Sequence, residues 1–141
     1  MPGKFFLDTN VIIYSFDQTD HRKREIAKEL IKNSLRTHKG FISYQVIQEF
    51  INTALQRFKT PMGVEDCKTY IVDFLTPMCE IFPSIELFRD AIDVKSAAKI
   101  GFYDALIVAS AIKGNAGILY TEDLNDGQKI KGVQIVNPFK I

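Results

Sequence analysis

The sequence predicts an α/β domain: a central, mostly parallel sheet with helices on both faces. Short apolar runs recur along the chain, at Phe5-Phe6-Leu7, Phe41-Ile42-Ser43, Gly117-Ile118-Leu119-Tyr120 and Val133-Gln134-Ile135-Val136. Between most of them the apolar residues fall at helical spacing. Strands that alternate with helices pair in parallel through crossovers rather than through hairpins. The 141 residues, 46% of them hydrophobic, suffice for one good core, and no linker, internal repeat or low-complexity tract divides them. Residues 1–141 therefore read as a single domain.

The first run, Lys4 to Leu7, reads as a buried parallel strand that turns at Asp8 into a short helix marked by Val11, Ile12, Ile13 and Phe16 and running to about Asp17. Ile26, Ala27, Leu30, Ile31 and Leu35 then share one stripe with lysines and arginines opposite, an amphipathic helix expected to close at Gly40. After the second strand, Val46, Ile47, Phe50, Ile51, Ala54, Leu55 and Phe58 form the cleanest helical stripe in the chain. Glu49 lies on its polar face, where it is either solvated or looking into a cleft. Thr60-Pro61-Met62-Gly63 breaks the pattern, and Val64, Cys67, Ile71, Phe74, Leu75 and Met78 begin another helix. The apolar stripes of these two helices exceed what one small core covers, which predicts a face for a second copy. Glu80-Ile81-Phe82 is a third strand ended by Pro83; Ser84 has the character of an N-cap for a helix that Gly101 stops. Asp104 opens an all-round apolar helix, Ala105 to Ile112, ending at Gly114 and expected to be buried against the sheet.

Net charge is only +1, but it is uneven. Arg22 to Lys39 holds seven basic residues against two acids, a local balance of +5, and Val64 to Asp93 holds seven acids against two basic residues, a balance of −5. Arg22, Lys23, Arg24 and Lys129 are candidate phosphate contacts, against the plainer reading of a solvated helix face. The two cysteines, Cys67 and Cys79, lack the close spacing and nearby histidines of a zinc site and read as buried thiols in a reducing compartment. No segment reaches membrane-spanning length, so a soluble, cytoplasmic protein without membrane contact is expected.

Asp8, Asp104 and Asp123 share a position: each follows or precedes an apolar run at the end of a strand or helix. Gathered at the carboxyl edge of the sheet with Glu49, they would form an all-oxygen site suited to Mg²⁺ or Mn²⁺. Two unit charges about 4 Å apart repel by roughly 4 kcal/mol at an effective dielectric near 20, so such a cluster is hard to explain without a cation. Capping of the following helix is the competing account for Asp8 and Asp104.

In order along the chain, Phe6-Leu7-Asp8-Thr9-Asn10-Val11, Ser43 with Glu49, Phe102-Tyr103-Asp104-Ala105-Leu106-Ile107-Val108-Ala109 and Tyr120-Thr121-Glu122-Asp123-Leu124 resemble the motifs of PIN-domain ribonucleases, especially the VapC-type toxins of toxin–antitoxin pairs. The resemblance implies a three-layer α/β/α sandwich and an endoribonuclease dependent on Mg²⁺ or Mn²⁺, cutting single-stranded RNA. It also implies a homodimer and a cognate antitoxin. Under it Asp8, Glu49, Asp104 and Asp123 are the metal-binding and catalytic acids, with Asp126 an alternative fourth, and Thr9, Ser43 and Thr121 are hydroxyls that orient them. Two other readings compete. A haloacid-dehalogenase-type phosphatase needs an acid two residues after the first Asp, where this chain has Asn10. A catalytically silent scaffold holding RNA or protein has no use for four mutually repelling acids.

Overall fold

The computed structural model describes residues 3–140. β1 (Phe5–Leu7) is buried at every position, as a strand covered on both faces must be. It passes through Asp8 into α1 (Thr9–Tyr14). α2 (His21–Thr37) starts at Asp20, whose carboxylate accepts from Lys23 N at 3.0 Å, and stops at His38 in the left-handed conformation (φ 60°). The expected stop at Gly40 is therefore displaced: Gly40 begins β2 (Gly40–Ser43), where a Cβ would run into Ser34 and the Phe5 ring. That close approach seats α2 on the sheet.

α3 (Tyr44–Gln56) follows without a gap. α4 (Val64–Tyr70) continues through a π-helical turn, Ile71–Leu75, into α5 (Thr76–Met78). Pro77 has no N–H to return to the preceding turn, and Thr76 bonds Ile71 O with both its backbone N–H and its hydroxyl (2.9 Å). β3 (Cys79–Ile81) comes next, then α6 (Ile85–Ala98), capped as expected by Ser84, which accepts from Leu87 N at 3.0 Å. α6 ends at Lys99 in the left-handed conformation, so Gly101 is not its stop but the residue that starts α7 (Phe102–Lys113). β4 (Ile118–Tyr120), β5 (Lys129–Ile130) and β6 (Val133–Val136) complete the chain. β5 is an addition to the expected strands: Lys131 and Gly132, both at positive φ, close a two-residue hairpin that pairs it antiparallel with β6.

The six strands lie in the order β3-β2-β1-β4-β6-β5, and every pair except β5–β6 is parallel. From β1 to β3 the chain steps one way across the sheet; from β3 to β4 it returns. Right-handed crossovers consequently put α1 to α5 on one face and α6 and α7 on the other. The mixed α/β architecture with a mostly parallel sheet is as the sequence predicts. α7 is buried continuously from Ala105 to Ala111.

The apolar stripe of α3 is absorbed by the core, through Val46, Phe50 and Ala54, and does not supply surplus surface. Val64, Val72 and Phe74 are exposed around α4, but a second group, Tyr44, Phe82, Ile85, Ile92 and Tyr103, gathers on and around α6. Cys67 is buried and Cys79 only partly so, and both are free thiols. Among the described residues, no helix is long and apolar enough to cross a membrane.

Gly114 ends α7 at φ −86°, ψ 6°, a conformation alanine adopts freely, yet its Cβ would meet the buried ring of Phe41. Gly114→Ala should therefore destabilise by overpacking alone, by about 1–3 kcal/mol in urea unfolding. Phe41→Leu in the same chain should remove most of that increment; an equal loss in both backgrounds would refute the steric account.

Candidate active site

β1 lies between β2 and β4, and the chain leaves it in one direction and comes back on its other side. Its carboxyl end is thus a topological switch point, where open α/β sheets place ligands. The register Phe6↔Phe41 and Leu7↔Tyr120 brings the residues that follow these strands to one edge. Asp8 N donates to Tyr120 O at 3.0 Å, and the two side chains then meet: Thr121 Oγ1 donates to Asp8 Oδ2 at 2.7 Å. The other carboxylate oxygen accepts from Thr9 N at 2.7 Å. Asp8 is 5% exposed. It is the N-cap of α1, so the capping account is partly right, but it engages the first helical N–H instead of the second or third, and half of it faces Thr121.

Glu49, on α3, is half-buried against the start of α1. Thr9 Oγ1 donates to its Oε1 at 2.5 Å, and Gln45 Nε2 approaches its Oε2 at 3.3 Å while also donating to Tyr103 O at 3.2 Å. The polar face of α3 therefore looks into a cleft. α7 runs antiparallel to the strand after it, which carries its first turn, with Asp104, to the same edge. Asp104 takes no hydrogen bond from any described residue and caps nothing. Asp123 follows β4; its backbone N–H donates to Thr121 Oγ1 at 3.0 Å, and Asn10 Nδ2 donates to its Oδ2 at 3.2 Å. Asp126 points elsewhere, accepting from Asn137 N at 2.8 Å and pairing with Lys140 at 3.7 Å. Of the three expected hydroxyls, Thr9 and Thr121 hold acids, whereas the buried Ser43 Oγ has no hydrogen-bond partner among the described residues.

The four acids share one electrostatic neighbourhood. Burial pushes the Asp8 carboxyl up to about 7, against the pull of its Thr121 and Thr9 hydrogen bonds and with added repulsion from Asp123 and Glu49. Asp104 is also raised, by burial first and then by Asp123 and Glu49. No positive charge among the described residues offsets either shift. Nor, among those residues, are three His, Cys, Asp or Glu side chains close enough to grip one ion: the acids ring the edge without meeting at a point. The donor chemistry nevertheless fits a hard divalent cation. It is all oxygen, it carries uncompensated negative charge, and the buried Asn10 Oδ1, Ser43 Oγ and Gln45 Oε1 lack partners in the same region.

The candidate phosphate contacts on α2 are largely engaged within the chain. Arg22 donates to Phe139 O at 2.5 Å, Lys23 pairs with Glu122 at 2.7 Å, and Arg24 reaches His21 at 2.7 Å and Glu25 at 3.6 Å. Asn10, Gln45, Tyr14 and Glu122 also bond at or beside this edge; Asn10 and Glu122 fall inside the motifs quoted above without a role being read for them, and Gln45 and Tyr14 carry no mark in the sequence. Asn10, two residues after Asp8, turns out to bracket Thr121 and Asp123.

An α/β sandwich with acids ringing the carboxyl edge at its switch point is the class of domain these residues build. The chain belongs to the PIN domain family, whose pattern it matches over residues 5–129. Three solved structures illustrate the likeness. A toxin–antitoxin complex from Klebsiella pneumoniae is 19% identical over 98% of this chain and 100% of that one, with a TM-score of 0.66. DNA-bound VapBC from Salmonella typhimurium is 23% identical over 94% and 96%, with a TM-score of 0.62. VapC20 of Mycobacterium tuberculosis, a sarcin–ricin loop cleaving toxin, is 18% identical over 85% and 90%, with a TM-score of 0.60. At such identities the likeness is one of fold. No curated protein matches the chain at a significant level.

Because its folded pKa is raised, Asp8 contributes stability that is complete below its unfolded value and lost as pH rises through about 7. In chelator, the protein should therefore lose stability between about pH 4 and 7, at up to about 1.4 kcal/mol per pH unit. Asp8→Asn keeps one acceptor, carries no charge and should flatten that slope. Thermal melts of both proteins across this range test the assignment; parallel slopes would exclude it.

Proposed function

We propose that this protein is a metal-dependent endoribonuclease that hydrolyses phosphodiester bonds in single-stranded RNA, acting as the toxin of a type II toxin–antitoxin pair. The observation that carries the reading is the field shared by Asp8, Glu49, Asp104 and Asp123 around one edge of a PIN chain. The similarity to toxin–antitoxin structures supports the biological role. Mg²⁺ or Mn²⁺ would be held by Asp8, Glu49, Asp104 and Asp123. When bound, such an ion supplies charge neutralisation at the scissile phosphate and lowers the pKa of the attacking water.

The protein's own groups divide the remaining work. Asp8 is oriented by Thr121 and Thr9, leaving its remaining lone pairs for a cation. Glu49, steadied by Thr9 and Gln45, is the group that positions the water and takes its proton. Asp104 has no partner to surrender before it binds an ion. Asp123, in preference to Asp126, is the fourth acid, because Asp123 is the one whose charge reaches both Asp8 and Asp104.

Two partners complete the proposal. One is a cognate antitoxin that blocks the site; the other is a second copy of the chain. The exposed Phe82, Ile92 and Tyr103 line a groove of about 380 Å³, and Ile85 stands beside it, a surface that a homodimer would cover. Sedimentation at micromolar concentration should show a dimer, and Ile92→Glu should shift it to monomer; wild-type monomer alone would refute the assembly.

The activity is tested with purified protein, a mixed RNA pool, and Mg²⁺, Mn²⁺ or chelator. Cleavage should require metal and vanish in Asp8→Asn and Asp104→Asn. Mg²⁺ at a hundred times its dissociation constant should stabilise the wild type by about 2.7 kcal/mol in thermal melts and Asp104→Ala far less. Asp104→Ala in chelator should lose nothing or gain, since it removes repulsion and no cap. Cleavage that survives chelation and Asp8→Asn would sink the proposal.

A further inference from the structure

Glu122 immediately precedes Asp123, and its side chain is gripped by residues of α1 and α2. Its Oε1 accepts from Tyr14 Oη at 2.7 Å, and its Oε2 pairs with Lys23 Nζ at 2.7 Å. Lys23 Nζ also donates to Tyr14 Oη at 3.2 Å, so the three groups close a ring. The ammonium stands 4.5 Å from the centroid of the Tyr14 ring and 5.6 Å from that of Phe139, and these two rings meet edge to face at 4.7 Å. Tyr14 is the last residue of α1, the helix that Asp8 starts; Lys23 is in the first turn of α2; Phe139 lies near the end of the chain. Two separate stretches, α1 and α2, thus converge on the carboxylate of Glu122, and a third, at Phe139, packs behind them.

The loop that carries Asp123 needs such an anchor. Asp123 is exposed, and one side-chain hydrogen bond, from Asn10, holds its carboxylate. Besides the packing of Leu124 and the bond from the Asp123 N–H to Thr121 Oγ1, the side chain beside Asp123 that ties the loop to α1 and α2 is Glu122. Lys23 is among the basic residues that sequence alone suggests as phosphate contacts. Its geometry points to another use, since its side chain is only 24% exposed and its ammonium already has an acid, a hydroxyl and two ring faces.

We infer that Tyr14, Lys23 and Glu122 are positioning residues, a clamp that holds Asp123 where the proposed metal site requires it. The inference rests on the metal-dependent reading above. Groups hydrogen-bonded to a metal ligand typically change metal affinity by about 10- to 100-fold when removed, and a clamp on the adjoining residue is expected to act toward the lower end of that range. A partly exposed ion pair contributes little to global stability, so the two effects separate.

The experiment measures Mn²⁺ binding to the full chain by calorimetry, together with thermal melts in chelator, for wild type, Glu122→Gln, Lys23→Met, Tyr14→Phe and Lys23→Arg. Glu122→Gln and Lys23→Met should weaken Mn²⁺ binding by about 10-fold or more with little change of melting temperature in chelator. A chain carrying both Glu122→Gln and Lys23→Met, measured alongside, should bind no more weakly than either single variant, because one unit has been removed once. Lys23→Arg should restore affinity, and Tyr14→Phe, the mildest change, should give an intermediate loss with the fold intact. Unchanged Mn²⁺ affinity in Glu122→Gln and Tyr14→Phe, with wild-type binding that depends on Asp104, would overturn the clamp while leaving the metal site standing. A lowered melting temperature at unchanged affinity would overturn it too, as a merely structural pair. Wild type that binds no Mn²⁺ would refute both the clamp and the reading on which it rests.

Discussion

The structure turns on one buried carboxylate. Asp8 is taken almost wholly out of water at the edge of the sheet, and the hydrogen bonds it receives are a backbone N–H from the next residue and a hydroxyl from Thr121, 113 positions away. That second bond exists only if β1 and β4 pair in the observed register, because a slip of one residue would turn Thr121 to the other face of the sheet. The register in turn fixes where the chain leaves β4 and hence where Glu122 and Asp123 go. A carboxyl held this way, with its pKa driven up by burial and by Asp123 and Glu49, does nothing for the stability of the fold at neutral pH. Local conflicts of this kind are tolerated where function pays for them.

The other two acids reach the edge by different routes. Glu49 depends on α1 packing against α3, so that Thr9, one residue after Asp8, donates to it. Asp104 depends on the direction of α7, whose continuous apolar surface locks it beneath the sheet and leaves its first turn at the carboxyl ends of the strands. Gln45 joins these two supports by bonding both Glu49 and Tyr103 O. The edge is therefore assembled from three independent packing contacts, and its geometry is only as good as the core behind it.

Much of this was legible in the sequence, and the failures have physical causes. β1, β4 and β6 were visible as short apolar runs, α3 and α7 as apolar stripes, and the start of α6 as a serine cap. Gly40 and Gly101 misled as helix stops because glycine is also used where a Cβ would collide, as at Gly40 against Ser34 and Phe5, and before a first helical turn. The left-handed stops fell instead to His38 and Lys99, which periodicity does not mark. β5 was invisible, since two residues have no period. Whether Glu49 faced water or a cleft was beyond the sequence for a related reason: a polar helix face reads the same whether solvent or another polar group lies opposite. Asp123 stood ahead of Asp126 in the sequence only through the Thr-x-Asp pattern after the strand, and the structure adds that Asp126 is engaged by the backbone N–H of Asn137 and the charge of Lys140.

The donors around the acids sort by charge. Thr9, Thr121, Asn10 and Gln45 are all neutral, so they orient Asp8, Glu49 and Asp123 without cancelling any of the negative field. A lysine in any of those places would hold the carboxylate as firmly, would lower its pKa, and would compete with an incoming cation for the same oxygens. The chain does use that solution one residue away, where Glu122 is neutralised by Lys23, and again at Asp126 with Lys140. Acids that fasten the loop are thus given cations, whereas of the acids that ring the cleft Asp8, Glu49 and Asp123 are given hydroxyls and amides and Asp104 no donor among the described residues. This division separates a carboxylate neutralised as a tether from one whose negative charge is left standing, and it is written in the identity of the donors where acid spacing alone cannot express it.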